Sequence, residues 1–310
     1  MFKRYNSIEN HYRQKYILNS LSQQPELENC KYSIREKVDG ANVQFFFQKG
    51  KKMEVGKRSS FLKEEDSFYD IWSVVARNDS ILQRFQDFVD AGDFKLRVYG
   101  ELFGPAIQNR VDYGPIKNIL FFDIELDGQM VSQQKFEEIM KLLNLEDEMV
   151  PLVGYADSLT EALNFSCDFD SKVIAKENNP AEGIVIKPYE KEYTMGNGSR
   201  FLLKKKSEKF KEKESKGKAP KVEENLPQEV VSLMLEFRGY VNKNRVLSVF
   251  SKHGEIESPK EIGKYIQLVM DDAKEDFLKD NELPEGLEKK VEKKIFNVGG
   301  HIVNLLKEHL

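Results

Sequence analysis

The tetrapeptide Lys37-Val38-Asp39-Gly40 follows a strand-like run and sets a lysine two residues before an aspartate. A lysine amine is a nucleophile only when uncharged, so it needs nearby cations or burial to shed its proton. Such an amine could attack the α-phosphate of a nucleoside triphosphate, forming a phosphoramidate and releasing pyrophosphate. Taken alone, the tetrapeptide fits a plain β-turn with an exposed lysine equally well.

Its surroundings narrow the choice. Arg35-Glu36 precede the lysine and Asn42 follows it. Downstream come Lys57-Arg58, Tyr99-Gly100-Glu101-Leu102-Phe103-Gly104-Pro105 and Phe121-Phe122-Asp123-Ile124. Ala181-Glu182-Gly183-Ile184-Val185-Ile186-Lys187-Pro188 and Leu203-Lys204-Lys205-Lys206 complete the series. In order and spacing these runs resemble nucleotidyltransferase motifs I, III, IIIa, IV and V of covalent ligases and RNA capping enzymes. The flanks Asn6 to Tyr12, Ile107-Gln108, Val111-Asp112-Tyr113-Gly114 and Ser207 to Phe210 resemble the RNA ligase 2 family, whose type member is a bacteriophage enzyme. The likeness runs over nearly the whole chain, including Asn244-Arg245 and Gly254-Glu255-Ile256. It departs at Asp39, where the type member has histidine and most of the wider superfamily has aspartate.

The resemblance implies a role for each residue. Lys37 is the nucleophile, and Glu36 brings its backbone to the adenine. Asn42 and Arg58 bind the ribose and the phosphate end, and Glu101 accepts from the ribose hydroxyls. Phe122 stacks on adenine, with Phe121 as the alternative. Glu182 and Asp39 hold the waters of Mg²⁺ (or Mn²⁺), which keeps several waters of its own. Lys204 and Lys206 share one face of a strand at period two, so both can reach the α-phosphate, while Lys205 points away, toward solvent or an RNA backbone. The implied activity is an ATP-dependent RNA ligase sealing 3′-OH/5′-phosphate nicks through a lysyl-AMP and then an adenylated 5′ end. Its expected partner is nicked duplex RNA or an RNA/DNA hybrid, docked with help from the C-terminal tail. Two other readings stay open: a DNA ligase or capping guanylyltransferase, or a non-catalytic RNA-binding protein on a ligase fold.

The elements that must position these residues are short. Tyr32 to Val38, Val43 to Phe47, Met53 to Lys57, Phe94 to Leu102, Ile119 to Leu126, Gly183 to Lys187 and Phe201 to Lys205 read as strands. Ser7 to Leu18 reads as a helix, as does Phe68 to Val89 with a break near Asn78-Asp79. Ser132 to Leu145 is a helix capped by Ser132. Without a regular βαβ rhythm, the class is α+β: an antiparallel-sheet nucleotidyltransferase (ATP-grasp-like) domain over 1–224, ending in a linker from Lys206 to about Asn225. Over 225–310, helical spacing at Val230, Leu233, Met234, Phe237 and Val241, and a Ser258-Pro259-Lys260-Glu261 capping box, predict a small all-helical domain.

Composition sets the outer bounds. The 310 residues carry a formal charge of −4, which weighs against a phosphate binder until its distribution is seen. Lys187 to Lys221 holds twelve lysines and arginines against five glutamates, either a phosphate-binding face or a solvated linker. No apolar run approaches a membrane span and the N-terminus does not read as a signal peptide. Cys30 and Cys167 are too few for a disulfide framework, and His11, His253, His301 and His309 have no metal-ligand spacing. A cytoplasmic, monomeric protein in a reducing compartment is expected.

Overall fold

The computed structural model describes residues 2–211, 227–284 and 286–308. In chain order the first part runs β1 (Glu9–Asn10), α1 (Gln14–Gln23), β2 (Tyr32–Glu36), β3 (Ala41–Phe47), β4 (Glu54–Lys57), α2 (Ile71–Arg77), α3 (Asp79–Ala91), β5 (Leu96–Phe103) and β6 (Asn118–Leu126). It continues with β7 (Gln129–Met130), α4 (Gln133–Leu142), β8 (Leu152–Ala156), α5 (Leu159–Asn164), β9 (Gly183–Pro188) and β10 (Leu203–Lys206). The second part is helical: α6 (Gln228–Gly239), α7 (Lys243–His253), α8 (Ile262–Asp280), α9 (Lys289–Ile295) and α10 (Gly299–Lys307). The chain divides into two compact units, Met1–Lys209 and Phe210–Leu310. The expected boundary at 224/225, and most of the expected linker, lie outside the described residues.

The strands make two five-stranded sheets, ordered β1-β10-β9-β2-β8 and β4-β3-β5-β6-β7. All pairings are antiparallel except β1 with β10. Consecutive strands β2 and β3 belong to different sheets, so the four residues Lys37 to Gly40 cross from one to the other. Alternation along β3 sends Ala41, Val43, Phe45 and Phe47 into a core with Leu82, Phe85 and Phe136. The intervening Asn42, Gln44 and Phe46 take the opposite face. A second core of Ile17, Leu27, Tyr32, Ile34, Ile184 and Ile186 backs the other sheet.

The expected helix from Ser7 is corrected. Residues 9 and 10 form β1, and the helix begins at Gln14. The amides of Glu9 and His11 donate to Leu202 O and Lys204 O, both at 3.0 Å. Pairing on the β10 edge thus overrides the local helical spacing. The break at Asn78 and the Ser132 cap on Lys135 N are found as expected. Asp127 and Gly128, both at positive φ, turn β6 into β7.

The helical unit packs Val230, Phe237, Val246, Val249, Tyr265, Val269, Ala273 and Phe277 around one core. Ser258 caps the turn Pro259–Glu261 that opens α8. Buried Arg245 donates to Asp272 at 2.6 Å and Asp276 at 2.7 Å, tying α7 to α8.

Candidate active site

Gly40 ends the crossover because only glycine fits: a Cβ there would lie 2.3 Å from Leu102 O. Gly183 faces the same demand, with a Cβ placed 2.1 Å from Lys205 O. These contacts set the crossover against the end of β5 and the start of β9 against the end of β10. Lys37 N donates to Gly183 O at 2.9 Å, fixing the backbone under the nucleophile candidate.

The side chains then meet at one carboxylate. Lys37 Nζ donates to Glu182 Oε2 at 2.6 Å, and Lys206 Nζ lies 2.7 Å from Glu182 Oε1. Burial pushes the Glu182 carboxyl up, but the Lys206 and Lys37 charges outweigh it and hold it down at about 2. Asn42 stands opposite Glu101 in the β3–β5 register. Burial pushes the Glu101 carboxyl up to about 8; Lys37 opposes this, while Glu182 and Asp39 add to it. Arg58 also bears on Glu101, lowering its pKa.

Asp39 has a partner that the sequence reading did not name. Arg110, in the β5–β6 loop, grips both of its oxygens, with Nε to Oδ2 at 2.9 Å and NH2 to Oδ1. Tyr113 of the same loop accepts from Asp39 N at 2.8 Å. Burial, then the Glu182 charge, push the Asp39 carboxyl up to about 6 against the pull of Arg110. Glu36 points elsewhere: its carboxylate accepts from Ser171 Oγ at 2.6 Å and Lys172 N at 2.7 Å. Neither Arg110 nor the 171–172 segment lies in a periodic run, so no pattern flagged them.

The two phenylalanines separate cleanly. Phe121 is buried in the core, edge-on to Phe45 and Phe85. A register shift in the β5–β6 pairing leaves Phe122 between the paired residues Phe121 and Asp123. Phe122 packs by Tyr5, with Lys187 Nζ at 5.2 Å from its ring. Lys204 and Lys206 share a face of β10, while Lys205 turns away and donates to Leu163 O at 3.0 Å and Phe165 O at 2.8 Å. The solvent or RNA-backbone reading of Lys205 is corrected: it closes the C-terminal end of α5. Among the described residues no group of three or more acidic, histidine or cysteine side chains could ligate a metal directly. Among them, too, no helix is long and apolar enough to cross a membrane.

The α+β pair of antiparallel sheets, with a crossover lysine and a second lysine meeting on one buried carboxylate, is the architecture of a nucleotidyltransferase domain. The RNA ligase family model matches residues 31–206, and the model described as T4 RNA ligase 2 C-terminal matches 223–298. The chain belongs to the RNA ligase family, with its helical part matching the RNA ligase 2 members. Solved structures of a Naegleria gruberi RNA ligase share the fold. A lysine-to-alanine variant with ATP and Mn matches at 20% identity and TM-score 0.50, over 67% of this chain and 57% of that one. A glutamate-to-alanine variant with AMP and Mn matches at 20% identity and TM-score 0.51, over the same shares. This chain therefore spans under two thirds of the length of those ligases.

Proposed function

We propose that the chain is an ATP-dependent RNA ligase working through a lysyl-AMP on Lys37. The carrying observation is the meeting of Lys37 and Lys206 on the two oxygens of Glu182, three residues from three separate motifs. Lys37 reaches an α-phosphate only after leaving Glu182 and losing a proton. Glu182, near 2, is too weak a base to take that proton while it holds both lysines. Lys206, with Lys204 beside it, supplies positive charge where the phosphorus gains negative charge.

The nucleotide reading has support in the polar face that β3 and β5 share. The buried Asn42 Oδ1 has no hydrogen-bond partner among the described residues, and Glu101 opposite it is held largely protonated at neutral pH. Such a pair suits ribose hydroxyls, with Arg58 at the phosphate end and Phe122 stacking on adenine above the Glu36 backbone. Glu182 and Asp39 would hold Mg²⁺ or Mn²⁺ through its waters, because their oxygens already carry Lys37, Lys206 and Arg110. When bound, the ion neutralises charge on the phosphates. Arg110 fixes Asp39 and, through it, the crossover.

In the later steps AMP passes to a 5′-phosphate and is displaced by a 3′-hydroxyl. Catalysis there is positioning and charge stabilisation. Residues 1–224 would carry the adenylyltransfer and 225–310 the docking of nicked duplex RNA or a hybrid, as a monomer in a reducing, cytoplasmic setting. The helical second unit favours an RNA ligase over a capping enzyme or DNA ligase, whose tail would be an OB-fold.

Incubation with α-phosphate-labelled ATP and Mg²⁺ should label the protein, and Lys37→Ala should remove the label. Persistent labelling at another residue refutes the assignment, and labelling from GTP in place of ATP points to a capping enzyme. A panel of nicked duplexes and single strands then identifies what is sealed.

A further inference from the structure

Outside α9, residues 227–310 hold fourteen acids against nine lysines and arginines; inside α9 four lysines meet one glutamate. Lys289, Lys290, Lys293 and Lys294 stand at i, i+1, i+4 and i+5, an arc of about 140° at 3.6 residues per turn. Val291 and Ile295 occupy the opposite side and pack into the helical core. Lys289, Lys290 and Lys293 are exposed and carry no ion pair among the described residues. Glu292 does not offset them, since it lies 3.5 Å from Lys274 of α8.

This arrangement is unfavourable for the helix itself. The like-charge pair Lys289/Lys293 at i and i+4 costs about 0.2–0.5 kcal/mol, and Lys289 and Lys290 set positive charge in the first turn, against the helix dipole. A solvated face needs no such crowding.

We propose that the lysine face of α9 is a docking surface for the phosphate backbone of the polynucleotide. This rests on the RNA ligase reading and adds the surface through which the helical unit takes hold. Three exposed ammonium groups on a single face, with half-buried Lys294 at its edge, suit successive phosphates, and an acidic remainder confines the attraction to that face. Such contacts hold a strand without reading its bases.

The test measures binding of the intact protein to a labelled nicked RNA duplex across a salt series. Replacing Lys289, Lys290, Lys293 and Lys294 together by Gln should weaken binding roughly tenfold or more near physiological salt. The slope of log affinity against log salt should flatten by about 3. Replacing all four by Arg should restore both. Labelling of Lys37 by ATP, read on the same preparations, should be unchanged in both variants. An unaltered affinity and slope in the glutamine variant would overturn the proposal, as would failure of the wild type to bind the duplex. Loss of Lys37 labelling in the wild type would instead sink the ligase reading.

Discussion

Two buried carboxylates, Asp123 and Glu182, each draw cations from distant segments of the chain, and they have opposite characters. Asp123 takes four donors: Lys187 at 2.9 Å and Gln133 at 2.6 Å on Oδ1, Tyr5 at 2.5 Å and Arg200 at 2.9 Å on Oδ2. Although burial pushes its carboxyl up, Arg200 and Lys187 hold it down at about 2. The cluster joins β6, β9, the N-terminal segment and the residue before Phe201, and it is closed. Around Glu182 the acids outnumber what the cations settle: Asp39 rises to about 6 and Glu101 to about 8. Lys37 keeps 20% of its side-chain surface exposed, and Asn42 Oδ1 has no hydrogen-bond partner among the described residues. One cluster is a rivet between the two sheets. The other is the candidate site, where neighbouring carboxyls are driven to different pKa values.

The largest effect should come from breaking the rivet. Asp123→Asn leaves Lys187 and Arg200 buried beside a neutral amide, which should cost about 3–5 kcal/mol of unfolding free energy by denaturant titration. The sign with pH follows from the depressed carboxyl. Its contribution is full above the ordinary aspartate value and is lost as pH falls toward about 2. The gap between wild type and variant should therefore narrow below about pH 4. A gap that widens there would show that Asp123 is no stabilising hub.

Glu182→Gln should reverse the pattern. Lysine adenylation should fall about 10²- to 10³-fold, while the loss of stability stays well below that of Asp123→Asn, because Lys37 can turn to water. Equal destabilisation by the two substitutions would erase the distinction between site and scaffold.

Arg110 sharpens the boundary between the two. If it acts through Asp39, Arg110→Ala should slow lysine adenylation about tenfold, and the same change in an Asp39→Asn background should add little. Additive losses would instead mean that the guanidinium meets the nucleotide directly.

How much of this the sequence disclosed depends on periodicity. Lys37, Glu182 and Lys206 sit at the ends of short apolar runs, so strand register and two crowded glycines nearly determine where they go. Asn42 and Glu101 were named through the resemblance to the covalent ligases, and the β3–β5 register then sets them opposite one another. Arg110 and Ser171 were not, and Tyr113 was visible only as part of a family flank, since loops carry no period and only the closed fold brings these residues to the crossover. Strand β8 and helix α5 escaped for a related reason, being short and half-exposed. The Asp123 cluster left a weak trace: a lysine inside Gly183–Pro188 and an aspartate inside Asn118–Leu126 are charges in buried strands, which demand partners. Their pairing across 64 positions was beyond any local pattern.

The smallest effect tests the comparison at its finest grain, within one strand. Lys205 lies between two lysines assigned to the site, but its ammonium is committed to the carbonyls of Leu163 and Phe165 at the end of α5. Charge at a helix C-terminus and two hydrogen bonds to its last carbonyls together contribute about 1 kcal/mol. Lys205→Met should therefore lower stability by about that amount, leaving lysine adenylation and duplex binding at wild-type levels. Lys206→Met should do the opposite, sparing the fold and slowing adenylation. Were Lys205→Met to slow adenylation as much, the alternation of β10 would not separate chemistry from support, and the site would extend to both faces of the strand.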